Sequence, residues 1–201
     1  QMPQHYGHKD LNIVSQSSPT GTQYLQAVGA AFALQRDKSD AVVYVSSGEG
    51  TTSQGDFHEA LNWASRVKAP VIFHIENNGY AISVPIAEQT AGASVYKITA
   101  GYENLARLSI DGTNYFESLM AFNKAVDRAR KGHGPTIIES NVVRLLPHSS
   151  SDDQRKYRDA DELHDDTLKD PIKLFKASCI SNKIINQNEF DSIDSNISDE
   201  I

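Results

Sequence analysis

Glu49 stands between Gly48 and Gly50, and 29 positions later Asn78 is followed by Gly79 and Tyr80. Glu49 offers a carboxylate and Asn78 an amide oxygen. A chain reversal at Gly79 can turn the Tyr80 carbonyl inward beside them. These are hard oxygen donors of the kind magnesium takes, about six at near-octahedral geometry. Two diphosphate oxygens and a water would complete such a shell. Gly48 and Gly50 lack Cβ atoms, so the backbone there can approach a phosphate closely. The N–H groups opening a helix after Gly55 would add positive potential. Taken singly, Gly-Glu-Gly is a turn and Asn-Asn-Gly a helix cap or hairpin turn. Set at the ends of two strands one crossover apart, the two point together to a metal–diphosphate site.

A second candidate is His148, which opens the run His148-Ser149-Ser150-Ser151-Asp152-Asp153. An imidazole titrates near neutrality and can move protons, although a lone loop histidine is ordinarily just solvated. His58, His74, His133 and His164 show no metal-ligand spacing. Cys179 lies in an apolar stretch and reads as a small buried hydrophobe.

The elements that must position these residues alternate between helix and strand. A helix is expected over 20–36, rich in Ala and Leu, with Ser18 or Thr20 near its cap and Pro19 at its start. Residues 41–46 are expected as a strand buried on both faces, since they are β-branched and bounded by polar residues. Helical spacing of Phe57, Leu61 and Ala64 marks 54–67, and 71–76 is a second buried strand entered through Pro70. Further strands are expected over 105–110 and 136–139, with a helix over 116–130 between them. Such alternation implies parallel pairing with right-handed crossovers, hence an α/β three-layer sandwich with a mainly parallel sheet. In such sheets ligands bind beyond the carboxyl ends of the strands, where both motifs fall.

The chain divides into a core over 1–145, a polar loop segment over 146–170 and a helical extension over 171–201. In the last part Phe190, Ile193, Ile197 and Ile201 form a narrow apolar seam on an acidic helix. That seam can pack on the domain, on a following domain or on a partner. The 201 residues carry a formal net charge of −7, which argues against nucleic acid because phosphate neutralisation needs a basic surface. No apolar run reaches the length of about 18 residues that a membrane helix requires. A single cysteine rules out an internal disulfide framework and fits a reducing compartment. The chain opens on Gln1 with neither an initiating methionine nor a signal peptide, so it is expected to be a piece of a longer protein.

Gly48-Glu49-Gly50 followed by Asn77-Asn78 resembles the thiamine diphosphate signature, with Glu where most families have Asp. The wider blocks resemble the alpha part of branched-chain 2-oxo acid dehydrogenase E1 components. They are Gln1-Met2-Pro3 with His5-Tyr6-Gly7, Ser17-Ser18-Pro19, Thr22-Gln23 before residues 27–31, residues 77–83, and His148-Ser149 with Asp152-Asp153. The resemblance extends over about residues 1–175. It implies the thiamine diphosphate-binding fold and the oxidative decarboxylation of a 2-oxo acid, with acyl transfer to a lipoyl-bearing E2 partner. Carried over by position, Glu49, Asn78 and the Tyr80 carbonyl would bind Mg2+. Gly48, Gly50, Thr51 and Ser18 would approach the diphosphate, and backbone near Thr20 and the Ile82 side chain would meet the pyrimidine side. His148 would be the catalytic residue at the cofactor. Ser149 sits where animal relatives are phosphorylated, and Arg144, Tyr157 and Arg158 match loop-ordering positions. Solvated charge remains an alternative for Arg158. Ser17, Pro19, Thr22 and Gln23 match a K+ site of some relatives, or simply a turn at a helix start.

The resemblance further implies an E1 beta subunit or fused beta domain, an α2β2-type assembly, and no turnover without the beta part. It places the protein in the cytoplasm of a bacterium or the mitochondrial matrix of a eukaryote. Three departures bear on substrate. Thr20-Gly21 stands where branched-chain relatives often carry Leu-Ala. Glu76 stands where some carry a phosphate-facing Arg, and a carboxylate there would repel a diphosphate. Leu145-Leu146-Pro147 alters the run before His148. Pyruvate and acetoin therefore stay open as substrates beside a branched-chain 2-oxo acid. Another thiamine enzyme, such as a transketolase or simple decarboxylase, is disfavoured by the His148-Ser149 loop. A catalytically silent assembly domain is the alternative of another class.

Overall fold

A computed structural model describes residue 5 and residues 7–200. The blocks quoted at Gln1-Met2-Pro3 and Tyr6, and Ile201 of the C-terminal seam, lie outside the described residues. Helix α1 (Thr22–Arg36), strand β1 (Val43–Gly48), helix α2 (Gly55–Val67) and strand β2 (Val71–Asn77) form the first half of the core. A short hairpin, β3 (Tyr80–Ala81) and β4 (Val84–Pro85), leads to two single-turn helices, α3 (Ile86–Gln89) and α4 (Val95–Ile98). Strand β5 (Ala106–Asp111), helix α5 (Tyr115–Arg130) and strand β6 (Thr136–Asn141) complete the sheet. Helices α6 (Ala160–Leu168), α7 (Pro171–Ser181) and α8 (Gln187–Glu200) follow.

The four long strands lie parallel in the order β1-β2-β6-β5, so the last strand of the sequence inserts between β2 and β5. Side chains alternate across the pleat. Val71, Phe73, Ile75 and Ile137 face α1 and α2, where Tyr24, Phe57 and Leu61 are fully buried. Ile72, Ile110 and Ile138 face α5 and meet Ala121 and Ala125. The expected α/β three-layer sandwich is therefore observed, with both faces of β2 and β6 covered.

The first strand departs from expectation. β1 is an edge strand and Tyr44 is 54% exposed, because α5 packs across β2, β5 and β6. An apolar run identifies a strand but not how many layers cover it. Helix α1 also starts later than expected. Gly21, in a left-handed conformation with φ 99°, occupies the cap and no side chain caps the helix. A Cβ on Gly21 would come within 2.9 Å of the Gln54 Cβ, so the residue lets the turn carrying Thr20 close against the Gly48–Gln54 segment.

Helix ends elsewhere follow local chemistry. The Asn114 side chain accepts from the N–H groups of Phe116 and Glu117, starting α5. Asn186 and Glu189 cap each other reciprocally at the start of α8. Cys179 is buried on α7, as expected of a small hydrophobe. On α8, Phe190 is half-buried under Lys176, whereas Ile193 and Ile197 stay about half exposed.

Candidate functional site

The parallel pairing of β1 with β2 sets Gly48 opposite Glu76, so the segments leaving both strands emerge side by side. Glu49 opens a 3-10 turn (Glu49–Ser53) and is 1% exposed. Its Oε2 accepts the Asn78 N–H at 3.2 Å, while its Oε1 is buried with no hydrogen-bond partner. Burial, the largest influence, pushes the Glu49 carboxyl above its ordinary value, and the charge of Glu139 adds to the rise. N–H donors and the charge of Arg144 pull the other way without cancelling it. A buried carboxylate oxygen with no donor is costly unless a cation meets it.

The second ligand segment is a tight turn. Gly79 has φ 85° and reverses the chain. Asn77 Oδ1 accepts the Gly79 N–H at 2.9 Å, and Asn78 Oδ1 accepts the Tyr80 N–H at 3.2 Å. Tyr80 pairs with Pro85, which has no N–H, so the Tyr80 carbonyl takes no ladder bond from its partner. The structure thus brings Glu49 and Asn78 together and leaves oxygen donors at Glu49 Oε1 and the Tyr80 carbonyl uncommitted. Among the described residues no group of three or more His, Cys, Asp or Glu could hold a metal ion. One carboxylate, one amide and one carbonyl make an all-oxygen set suited to a hard cation such as magnesium.

The two glycines do different work. A Cβ on Gly48 would meet only the Glu76 carbonyl, at 3.9 Å, so the backbone there is open to approach. A Cβ on Gly50 would come within 2.8 Å of the Ala81 Cβ, so Gly50 admits the β3–β4 hairpin. Gln89 locks that contact by donating to the Gly50 carbonyl at 2.8 Å and to Ser53 Oγ at 2.9 Å. Thr51 lies in the same 3-10 turn, near Gly21. Ser18 and Thr20 are exposed on the segment leading to Gly21, and Ser18 Oγ bonds to His5 Nε2 at 3.2 Å. Nearby, Thr22 Oγ1 donates to the Pro19 carbonyl and also bonds Ser17 Oγ, while Gln23 Oε1 accepts the Gly21 N–H.

Ile82 sits at the hairpin tip with φ 57°, a left-handed conformation that costs a β-branched residue energy. Its side chain is 55% exposed and its carbonyl accepts Arg144 Nη1 at 2.8 Å. Arg144 also donates to the Tyr157 hydroxyl, which donates in turn to Asp152 Oδ2 at 2.6 Å. Asp152 Oδ2 takes the His148 N–H as well, at 2.9 Å. The Tyr157 hydroxyl first, then the His148 N–H, hold the Asp152 carboxyl below its usual range. A continuous chain of contacts thus runs from the hairpin tip to the backbone of His148, whose imidazole makes no hydrogen bond among the described residues. Ser149 is exposed beside it.

Solvated charge proves wrong for Arg158. It is 5% exposed and donates to Glu162, Asp166, Gln154 and the Arg144 carbonyl while lying over the Tyr80 ring. Glu76 does not point at Glu49. It shares the α5 face with His74, Nδ1 to Oε1 being 3.8 Å, and half of its side chain reaches solvent. Sequence spacing also missed Glu139, 2% exposed on β6, and the bonds that Tyr44 and Ser140 make to the His74 ring. For Glu139 a signal existed: an acid continuing the run Thr136-Ile137-Ile138 inside an otherwise apolar strand.

The family model of the dehydrogenase E1 component matches residues 1–201. This chain belongs to that family. The 2-oxoisovalerate dehydrogenase subunit alpha of Bacillus subtilis (strain 168) is 44% identical over 177 residues, which is 88% of this chain and 53% of the relative. The 3-methyl-2-oxobutanoate dehydrogenase subunit alpha of Mycobacterium tuberculosis (strain ATCC 25618 / H37Rv) is 41% identical over 160 residues, covering 80% of this chain and 43% of its own. The mitochondrial 2-oxoisovalerate dehydrogenase subunit alpha of Homo sapiens is 42% identical over 164 residues, covering 82% and 37%. The E1 chain therefore spans about half the length of these relatives, or less. No helix among its described residues is long and apolar enough to cross a membrane.

Proposed function

We propose that this E1-family chain supplies the metal- and diphosphate-holding half of a thiamine diphosphate site. It would serve the oxidative decarboxylation of a branched-chain 2-oxo acid with acyl transfer to a lipoyl-bearing E2. The observation that carries the proposal is the buried, unpartnered Glu49 Oε1 beside Asn78, at the ends of adjacent parallel strands. Glu49, Asn78 and the Tyr80 carbonyl would hold Mg2+, with the open backbone at Gly48 and the Thr51 and Ser18 side chains toward the diphosphate. Gly50 would serve through its hairpin contact. Thr20 backbone and the strained Ile82 tip would bear on the pyrimidine side. The cofactor supplies the carbanion stabilisation. His148, held at its backbone by Asp152 and free at its ring, would move a proton during acyl transfer.

The substrate class rests on relatives named for 2-oxoisovalerate and 3-methyl-2-oxobutanoate, with pyruvate and acetoin as the competing substrates to assay. A beta subunit or fused beta domain, in an α2β2-type assembly, would complete the active site. The oxygens of Ser17, Pro19, Thr22 and Gln23 suit K+ as well as they suit a turn at a helix start. The protein would work in the cytoplasm of a bacterium or in a mitochondrial matrix. The test is calorimetric titration of thiamine diphosphate and Mg2+ into the full-length alpha chain with its beta partner. Binding by the parent and loss of its Mg2+ dependence in Glu49→Ala is the expected outcome. Equal binding by both proteins would place the metal elsewhere, and no binding by either would favour a silent assembly domain.

A further inference from the structure

Glu139 is the most heavily bonded buried carboxylate among the described residues, and it touches none of the proposed ligands. Its Oε1 accepts from Asn77 Nδ2 at 2.8 Å and from the Val95 N–H at 2.9 Å. Its Oε2 accepts from Ser94 Oγ at 2.9 Å and from the Tyr96 N–H at 2.8 Å. Four donors on two oxygens satisfy a group that would otherwise be expensive at 2% exposure.

The partners matter more than their number. Asn77 is the last residue of β2, and its Oδ1 accepts the Gly79 N–H at 2.9 Å. The amide of Asn77 is thus fixed at both ends, by Glu139 through its NH2 and by Gly79 through its oxygen. The turn so held carries Asn78 and presents the Tyr80 carbonyl. The remaining three donors belong to the start of α4, so one carboxylate ties the strand end to the segment packed beneath it. Glu139 is the register partner of Ile75 and faces the same layer, which is why its carboxylate reaches both.

We infer that Glu139, acting through Asn77, is the positioning residue that fixes the metal-binding turn in its ligand-ready conformation. The inference deepens the cofactor site proposed above and rests on it. Direct partners of metal ligands orient those ligands, and their loss costs about 10–100-fold in metal affinity. Glu139 stands one link further back, behind Asn77, so the low end, about tenfold, is expected of it.

The test uses the full-length alpha chain assembled with its beta partner. Glu139→Leu removes the bond from one side. Asn77→Asp replaces its donor with a carboxylate that repels Glu139 unless the two share a proton, while sparing the acceptor for Gly79. Glu139→Gln keeps an acceptor for Asn77 and can donate to Ser94, although its NH2 then faces the Tyr96 N–H and loses that bond. Ser94→Ala removes one of the three α4-side bonds, together with the Ser94 cap on the Lys97 N–H, and leaves the bond to Asn77. Mg2+ is titrated at saturating thiamine diphosphate, and amide exchange over residues 77–81 is followed in protein holding neither. Glu139→Leu and Asn77→Asp are expected to weaken Mg2+ by about tenfold and to speed exchange over 77–81 before any metal is added. Glu139→Gln should restore most of the affinity, and Ser94→Ala should lower thermal stability while leaving Mg2+ affinity unchanged.

Unchanged Mg2+ affinity in Asn77→Asp on the alkaline side, where no proton bridges it to Glu139, with the parent binding normally, would overturn the inference. So would a loss that merely tracks melting temperature across all variants, Ser94→Ala included. If Glu139→Leu fails to assemble, Asn77→Asp carries the decision alone. A parent that binds no thiamine diphosphate overturns the proposed function itself, and this inference with it.

Discussion

Replacing Arg158 with methionine tests whether the loop bearing His148 is held by a buried charge. The side chain of Arg158 is 1% exposed, and its guanidinium reaches Glu162 at 2.8 Å, the Arg144 carbonyl at 3.1 Å and Gln154 at 3.2 Å, with Asp166 as a second ion-pair partner. Burial works against its charge, yet Asp166 and Glu162 outweigh that and hold it above its ordinary value. Methionine fills a similar volume but leaves both carboxylates without their cation. Glu162 keeps the Tyr80 hydroxyl at 3.0 Å and a side chain 35% exposed, so water can compensate it. Asp166, only 15% exposed, bears most of the loss. Removing one partner of a buried pair costs about 3–5 kcal/mol, and partial hydration places this case near 3.

That cost falls on the segment from Arg144 to Asp166, because the sheet does not share these bonds. About 3 kcal/mol is about a hundredfold in an opening equilibrium. Amide hydrogen exchange should therefore lose about a hundredfold protection over residues 144–166 while β2 and β6 stay unchanged. Arg158→Met combined with Asp166→Leu should recover most of it, since only Glu162, hydrated and bonded to the Tyr80 hydroxyl, is then left without its cation. Protection unchanged in the single variant, or reduced equally in the core strands, would refute the reasoning.

Other expectations follow from single residues. Glu49→Gln should raise the stability of the cofactor-free chain. The folded Glu49 carboxyl is raised, so its favourable share of stability is present below the unfolded value and lost as pH rises through the folded one. The amide removes that dependence, and a thermal midpoint no higher than the parent's near neutral pH would contradict it. Gly21→Ala forces a Cβ into φ 99° and against Gln54, and urea denaturation should show a loss of about 2 kcal/mol. His74 is depressed chiefly by burial, with Glu76 opposing, so its share of stability is present above about pH 6.5 and lost as pH falls. The thermal midpoint of the parent should accordingly fall faster than that of His74→Met on acidification, and parallel curves would exclude the mechanism.

Short-range pattern was enough for the alternation of helix and strand, because periods of two and of about 3.6 residues are written in neighbouring side chains. Asn114 and Asn186 cap helices through residues two or three positions on, and Gly79 turns the chain because it alone lacks a Cβ. The pairing of Glu49 with Asn78 was legible for the same reason, since one crossover of that length sets two parallel strands side by side. What lay beyond was decided between residues distant in sequence. Nothing near β6 says that it inserts between β2 and β5, yet that order brings Glu139 to Asn77, 62 positions away. For Arg158 the sequence left a loop-ordering role and a solvated charge both open, and α6 folding back to enclose it with Asp166 decided between them. The run at β1 looked doubly buried because its composition records apolarity, whereas coverage depends on where α5 comes to rest. Periodicity is a property of the local chain, but burial and hydrogen-bond partnership belong to the packing of segments that meet only after folding.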